Sequence, residues 1–310
     1  MNKHIKKYYF YYLGRFLDFF KQYELSAKAY AKVIKHRFFF ADVQVRFAKA
    51  YEQSSGDNLI MVRGGIGDML QSLPFMLAHP SAKYVVFTHF LRAEAFYQAL
   101  GIKIHQFYFY SNLDEHKALN KQLFHSDEIY LCPRSVFMEN SPFAARPSFF
   151  ENSRPVVGLH FGASAIGSKK TLSVEFVQQL LNRLSALNLN LMVFCTKNEL
   201  EFFKEIKVFE TEQLKFACEE DVTKSLSLVA QCHAFLGSDS AFKTMSSMLS
   251  IPTMVLFEDD KNRFRDRTFI NPYSKFGVMQ VFKYKSLNAD DVEKALAFVL
   301  ASLKGIRLIA

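Results

Sequence analysis

From residue 59 onward, short apolar runs alternate with longer stretches in which apolar positions recur at helical spacing. The first series predicts strands at 59–62, 84–88, 103–108 and 128–131, with helices at 68–78, 91–100 and 113–124 between them. A second series predicts strands at 156–161, 189–195, 207–209, 234–236 and 253–257, with helices at 173–187, 198–205, 222–231 and 240–249. The last helix, 288–303, opens with Asn288 as N-cap ahead of Asp290 and Asp291 and closes near Gly305. Strands that alternate with helices pair in parallel, because each crossover helix brings the chain back to the same edge of the sheet. Between the two series, 139–155 holds Pro142, Pro147 and Pro155 without apolar periodicity and is the expected interdomain linker.

The N-terminal segment follows another pattern. Residues 5–53 are rich in Ala, Leu and Lys and almost free of Gly, which predicts three helices with breaks near Lys21-Gln22 and near 36–40. A faint 34-residue register runs through them: Leu13-Gly14 with Leu17 returns as Phe47-Ala48 with Tyr51, and Tyr23, Ser26 and Tyr30 take the aromatic, small and aromatic positions of a tetratricopeptide repeat. The expected fold class is therefore α/β. Two Rossmann-like parallel-sheet domains, 56–150 and 151–310, follow a short helical, TPR-like segment at 1–55.

Two glycine- and acid-marked turns interrupt the pattern at matching places. Arg63-Gly64-Gly65-Ile66-Gly67-Asp68 and Leu236-Gly237-Ser238-Asp239-Ser240 each lie between a strand and a helix. At such a turn the unpaired N–H groups of the helix start and the positive end of its dipole converge, which suits an anion such as a phosphate. Gly64, Gly65 and Gly67 would let a ligand approach the backbone closely.

Length and composition fit this picture. A chain of 310 residues, 50% hydrophobic and 22% charged, can bury two full cores. Cys132, Cys195, Cys218 and Cys232 have neither zinc-ligand nor disulfide-framework spacing, which points to a reducing cytoplasm. No apolar run nears the roughly 18 residues of a membrane span, and no signal-peptide pattern is present. The charge of +9 is concentrated: residues 1–53 hold eleven Lys and Arg against four acids. The same stretch carries Tyr8, Tyr9, Phe10, Tyr11 and Tyr12 in a row and Phe38-Phe39-Phe40. Two readings stand: these rings pack on the body of the protein, or they meet an anionic membrane surface or a protein partner. A nucleic-acid partner is not expected, because the charge is confined to one segment without a recognition motif.

RGGIGDMLQSLP at 63–74 resembles the N-terminal signature of the lipopolysaccharide heptosyltransferase family, glycosyltransferase family 9. Two further blocks follow in the family's order: VVGLHFGASAIGSKKTLSVEFVQQLLNRL at 156–184 is similar to its strand, loop, Lys and helix, and FLGSDSAFKTMSSMLSIPTMVLF at 235–257 is similar to its Asp-Ser/Thr-Gly segment before Pro and a strand. The resemblance implies GT-B architecture and inverting, metal-independent transfer of a heptose or related sugar. The donor would be a nucleoside-diphosphate sugar, ADP-heptose among the candidates, with no separate cofactor. The acceptor would be a lipid-linked lipopolysaccharide or lipooligosaccharide core, and the enzyme would be cytoplasmic or peripheral on the inner membrane. It also implies that Asp68 is the general base, which must take the acceptor hydroxyl's proton as the oxygen attacks the anomeric carbon; the plainer reading is that Asp68 caps a helix starting at Met69. The family's phosphate-binding Lys falls on Lys169 or Lys170. Ser238, Asp239, Ser240, Ala241, Phe242 and Lys243 match its diphosphate segment, with Ala241 standing for the family's Gly and Lys243 for its His. Glu199 falls at the acid near the nucleotide ribose and equally suits a first helical turn.

Other candidates read more plainly. His160, at the end of an apolar strand, is expected to be a core histidine, and Glu258-Asp259-Asp260 a solvated loop. Rival functions are a nucleoside-diphosphate-sugar epimerase or hydrolase, and a noncatalytic nucleotide-sugar-binding scaffold.

Overall fold

The computed structural model describes residues 3–35, 43–54, 58–124, 129–134, 150–162, 172–258, 279–284 and 288–305. The chain divides into two compact units, 1–135 and 136–310, at a point just ahead of the expected 139–155 linker.

The first unit begins with α1 (Lys3–Phe19), α2 (Tyr23–Lys35) and α3 (Val43–Glu52), the three helices expected. The α1–α2 contact is close, because Gly14 lets the Tyr30 ring lie directly against the α1 backbone. Asp18 of α1 accepts a hydrogen bond from Tyr30 Oη at 2.7 Å and lies 3.8 Å from the Arg46 guanidinium. Phe47 and Tyr51 of α3 pack on Phe75 and Tyr130, so these rings and Tyr30 of α2 are core. The sheet that follows is built from β1 (Leu59–Arg63), α4 (Ile66–Ala78), β2 (Tyr84–Thr88), α5 (Ala93–Ala99), β3 (Ile104–Phe109), α6 (Leu113–Phe124) and β4 (Ile129–Leu131). Its strands run in the order β3-β2-β1-β4, all parallel. Pro74 lies inside α4, which continues four residues past it to Ala78.

The second unit contains β5 (Val156–His160), α7 (Val174–Ser185), β6 (Asn190–Phe194), α8 (Lys197–Glu205), β7 (Leu214–Ala217), α9 (Val222–Val229), β8 (Ala234–Ser238), α10 (Ala241–Met248), β9 (Thr253–Glu258), β10 (Met279–Tyr284) and α11 (Ala289–Gly305). The strand order is β10-β9-β8-β5-β6-β7, again parallel throughout. Both faces of β5, β6 and β8 are buried, as a sheet covered by crossover helices requires. Val157, Leu159, Leu191, Val193 and Leu236 join Val177, Leu180 and Leu184 of α7 and Val299 of α11 in one core cluster. At the start of α11, Asn288 Oδ1 accepts from Asp291 N–H and Asp291 Oδ2 accepts from Asn288 N–H, the expected cap.

Two strands correct the expected pattern. Residues 207–209 are not a strand: Lys207, at φ +58°, closes α8 in a Schellman motif, with Lys207 N–H on Lys204 O and Val208 N–H on Phe203 O. The third strand is β7 instead, paired with β6 from Leu191 to Phe194. β10 is an added strand that the pattern did not announce. The cysteines are free thiols, and burial pushes Cys132 and Cys195 up to about 12.

Candidate functional site

In the first unit the strand order reverses between β1 and β4, so the loops leaving these strands part and open a crevice at their carboxyl ends. The first glycine turn leaves β1 here. Gly64 has φ +125°, and a side chain on it would overlap the Asp68 carboxylate, so only glycine fits. Gly65 is the N-cap of α4, with the His89 ring against it. Gly67 is the second residue of the helix and Asp68 the third. Asp68 is thus not the N-cap of a helix beginning at Met69: the helix starts earlier, and the carboxylate reaches back to its cap, Oδ2 accepting from Gly65 N–H at 3.1 Å.

Asp68 Oδ1 meets the guanidinium of Arg134 at 2.7 Å. Arg134 lies just past the end of β4, and its Nη2 donates to the Arg63 carbonyl at 2.7 Å. One side chain therefore bridges the crevice and ties the carboxylate to the opposite strand. Arg63 is itself held by Asn120 of α6, Nη1 to Oδ1, at 2.8 Å. The pair keeps contact with solvent, Asp68 being 37% and Arg134 27% exposed. His89, next after β2, and Tyr110, next after β3, extend the same edge, with Nδ1 and Oη 3.1 Å apart. Burial raises the Tyr110 phenol above its ordinary value, the negative charge of Asp68 adds to this, and Arg63 opposes it.

The second unit repeats the reversal between β5 and β8. Parallel register sets His160 beside Gly237, so the ends of both strands converge. His160 is 4% exposed, but its surroundings are not those of a plain core residue. Nδ1 lies 3.4 Å from Ser238 Oγ and Nε2 3.6 Å from Glu199 Oε1. Ser238 Oγ donates to the Gly162 carbonyl, and a side chain at Gly162 would take the place the Glu199 carboxylate occupies and force it to shift. Glu199 serves two neighbours: its Oε2 accepts from Thr196 N–H at 2.7 Å in a capping box at the start of α8, while Oε1 faces His160. Burial alone would raise the Glu199 carboxyl, but the facing imidazole and the Thr196 N–H outweigh it and hold it below its ordinary value.

The second glycine turn enters α10 at this edge. Phe242, in the first turn of the helix, packs on His160 and Phe194 with centroids 4.7 and 4.9 Å away. Ser240 is the N-cap, yet its side chain caps nothing; Oγ is buried with no hydrogen-bond partner among the described residues. An orphan hydroxyl beside the free N–H groups of a helix start is a cradle for an anion. Ala241 opens the helix with no side chain beyond a methyl group.

The Asp239 and Lys243 side chains form a pair beside the start of α10. They face each other, Nζ to Oδ1 at 2.8 Å, with side chains only 8% and 4% exposed. A cation this deeply buried needs a counter-charge in contact, which Asp239 supplies. Lys169 and Lys170, together with Asp259 and Asp260, lie outside the described residues. No group of three or more His, Cys, Asp or Glu side chains able to hold a metal ion occurs among the described residues.

Arg134, His89 and Tyr110 carry no motif in the sequence. Their one shared signal is position, each following a strand of a parallel sheet at its carboxyl end, where ligands of such sheets bind.

No family model matches the chain, and no curated protein matches it. Solved structures do. An ADP-heptose lipopolysaccharide heptosyltransferase II from E. coli aligns with 81% of this chain and 99% of its own at 16% identity, with a TM-score of 0.53. A glycosyl transferase family 9 protein from Veillonella parvula DSM 2008 aligns over the same shares at 11% identity, with a TM-score of 0.50. At these identities the likeness is one of fold, and it is the α/β fold of two parallel-sheet units that the resemblance to glycosyltransferases of GT-B form implied.

Proposed function

We propose that the protein is an inverting glycosyltransferase that moves a heptose or related sugar from a nucleoside-diphosphate donor to a lipopolysaccharide or lipooligosaccharide core, with Asp68 as general base. The observation that carries this reading is the Asp68 carboxylate, fixed at the β1/β4 crevice by Gly65 N–H and Arg134 yet still open to solvent. Two hydrogen bonds leave other lone pairs of the carboxylate able to accept a sugar hydroxyl. As the acceptor oxygen bonds to the anomeric carbon, its proton passes to Asp68, and the bond from that carbon to the diphosphate oxygen breaks with inversion.

The departing diphosphate gains negative charge. The start of α10, with the Ser240 hydroxyl and the first-turn N–H groups, is suited to receive it, joined by Lys169 or Lys170. Glu199 and His160 form the neighbouring polar edge for the nucleoside, and Lys243 acts by holding Asp239 in the turn. The three ordered sequence blocks and the fold shared with two transferases of this kind support the assignment.

The deciding experiment measures nucleoside-diphosphate release from ADP-, UDP- and GDP-sugars, with and without a bacterial core oligosaccharide and with and without EDTA. Acceptor-dependent, EDTA-resistant release from one donor is expected. Release without acceptor would replace this reading with an epimerase or hydrolase, and tight nucleotide binding without release would replace it with a scaffold.

A further inference from the structure

We propose that α1 lies flat on an anionic lipid surface, through the aromatic face that it turns away from the rest of the first unit. Among the described residues ten large apolar side chains are exposed, and six of them are Tyr8, Tyr9, Tyr12, Phe16, Phe19 and Phe20, from 48% to 81% exposed. Positions 8, 12, 16 and 20 repeat at i+4, and 9 and 19 fall beside them, so the rings form one stripe. The opposite face is the packed one: Tyr11 meets the Tyr30 ring, Gly14 lies under Tyr30, and Asp18 bonds Tyr30 and pairs with Arg46.

Charge selects the occupant. Asp18 is the one acidic residue of α1, against Lys3, Lys6, Lys7 and Arg15. That carboxylate is spent inward, so the helix offers solvent a ring-lined surface without an acid on it. Tyr and Phe rings settle at the headgroup level while Lys and Arg meet anionic phosphates, a combination that binds in the plane of a bilayer. A second copy of a helix with the same net positive charge would repel this one, which sets self-association aside. No described helix is long and apolar enough to cross a membrane. The inference stands apart from the proposed chemistry, because its readout is partitioning and not turnover.

The test is co-sedimentation of the full chain with vesicles of phosphatidylethanolamine and phosphatidylglycerol, or of phosphatidylcholine alone, at low and high salt. The expected result is sedimentation with the anionic vesicles, weakened by salt, and a partition coefficient about ten-fold lower or less still for Tyr12→Ser/Phe16→Ser/Phe19→Ser. Phe209→Ser, which changes an exposed ring of the second unit, should bind as the unsubstituted chain does. Circular dichroism of each variant confirms that the helices are kept. The proposal is overturned if the unsubstituted chain stays in the supernatant with anionic vesicles or if the triple variant sediments equally well. It is also overturned if light scattering finds a dimer that the triple variant converts to monomer, since a second copy then covers the face.

Discussion

At the reversal between β1 and β4 the first unit sets the Asp68–Arg134 pair, 37% and 27% exposed; beside the equivalent reversal between β5 and β8 the second unit sets Asp239–Lys243, 8% and 4% exposed. The strand order and the position along it are alike, but the physics is not. A solvent-screened pair is worth about 0–1 kcal/mol, so its partners can be exchanged for a ligand at little cost. Breaking a buried pair leaves an uncompensated charge and costs about 3–5 kcal/mol, so its partners are fixed. The first reversal thus carries a carboxylate that can change partners, and the second carries a rigid frame around the orphan hydroxyl of Ser240 and the Phe242 ring.

Asp68→Asn is the sharpest way to break this contrast. It keeps the side-chain shape and removes the base, so acceptor-dependent turnover should fall about 10²- to 10⁴-fold, while the urea midpoint stays nearly unchanged because the screened pair adds so little stability. Steady-state kinetics and urea unfolding on one preparation check both halves. A variant that turns over like the original chain would remove Asp68 from the chemistry.

Lys243→Met should do the reverse. Stranding Asp239 is expected to cost about 3–5 kcal/mol, read as lost hydrogen-exchange protection in β8 and α10. The double variant Asp239→Asn/Lys243→Met should recover most of that loss, because a buried pair replaced as a unit leaves no bare charge. A mild effect of Lys243→Met alone would mean that this pair, too, is free to exchange, and the contrast between the two reversals would fail.

Both turns could be read from the chain, because glycine and acid between an apolar run and a helical pattern mark a strand end locally. Arg134 could not. It reaches Asp68 across 66 positions of sequence only because β4 pairs with β1, a fact of the sheet and not of any nearby residue. Helix ends were hard to place for a related reason. Among the described residues the non-glycine residues with positive φ, Lys21, Lys207 and Ser250, each close a helix where glycine would be the usual mark, and at Lys207 the missing mark turned a helix end into an expected strand. In α1 through α3 the composition predicted helices correctly, but it could not divide the rings into those that pack, such as Tyr30 and Phe47, and those that face outward, such as Phe16 and Phe19. That division depends on which face meets the neighbouring helix.

Arg134→Lys tests a finer point of the first reversal. The charge remains, but an ammonium cannot span both Asp68 Oδ1 and the Arg63 carbonyl as the guanidinium fork does. If Arg134 orients the base, kcat should fall about ten-fold with KM little changed; an equal rise in KM would make it a substrate-binding group instead.

The smallest effect concerns the second reversal, where Glu199 joins the α8 cap to His160. Its carboxyl titrates below the ordinary 4.5 in the folded protein, despite the burial that pushes the other way. A carboxyl with a depressed folded value gives stability that is fully present above its unfolded value and fades as the pH falls through the folded one. Glu199→Gln keeps an oxygen for Thr196 N–H but has no proton to gain. At neutral pH the variant should therefore be the less stable of the two, and the gap should narrow steadily in acid below about pH 4.5. Asp221, also held low by its place at the start of α9, acidifies both proteins equally and cancels in the difference. Thermal unfolding of the pair from neutral to acid pH measures this gap directly; curves that stay parallel would mean that Glu199 acts on His160 by shape alone, without its charge.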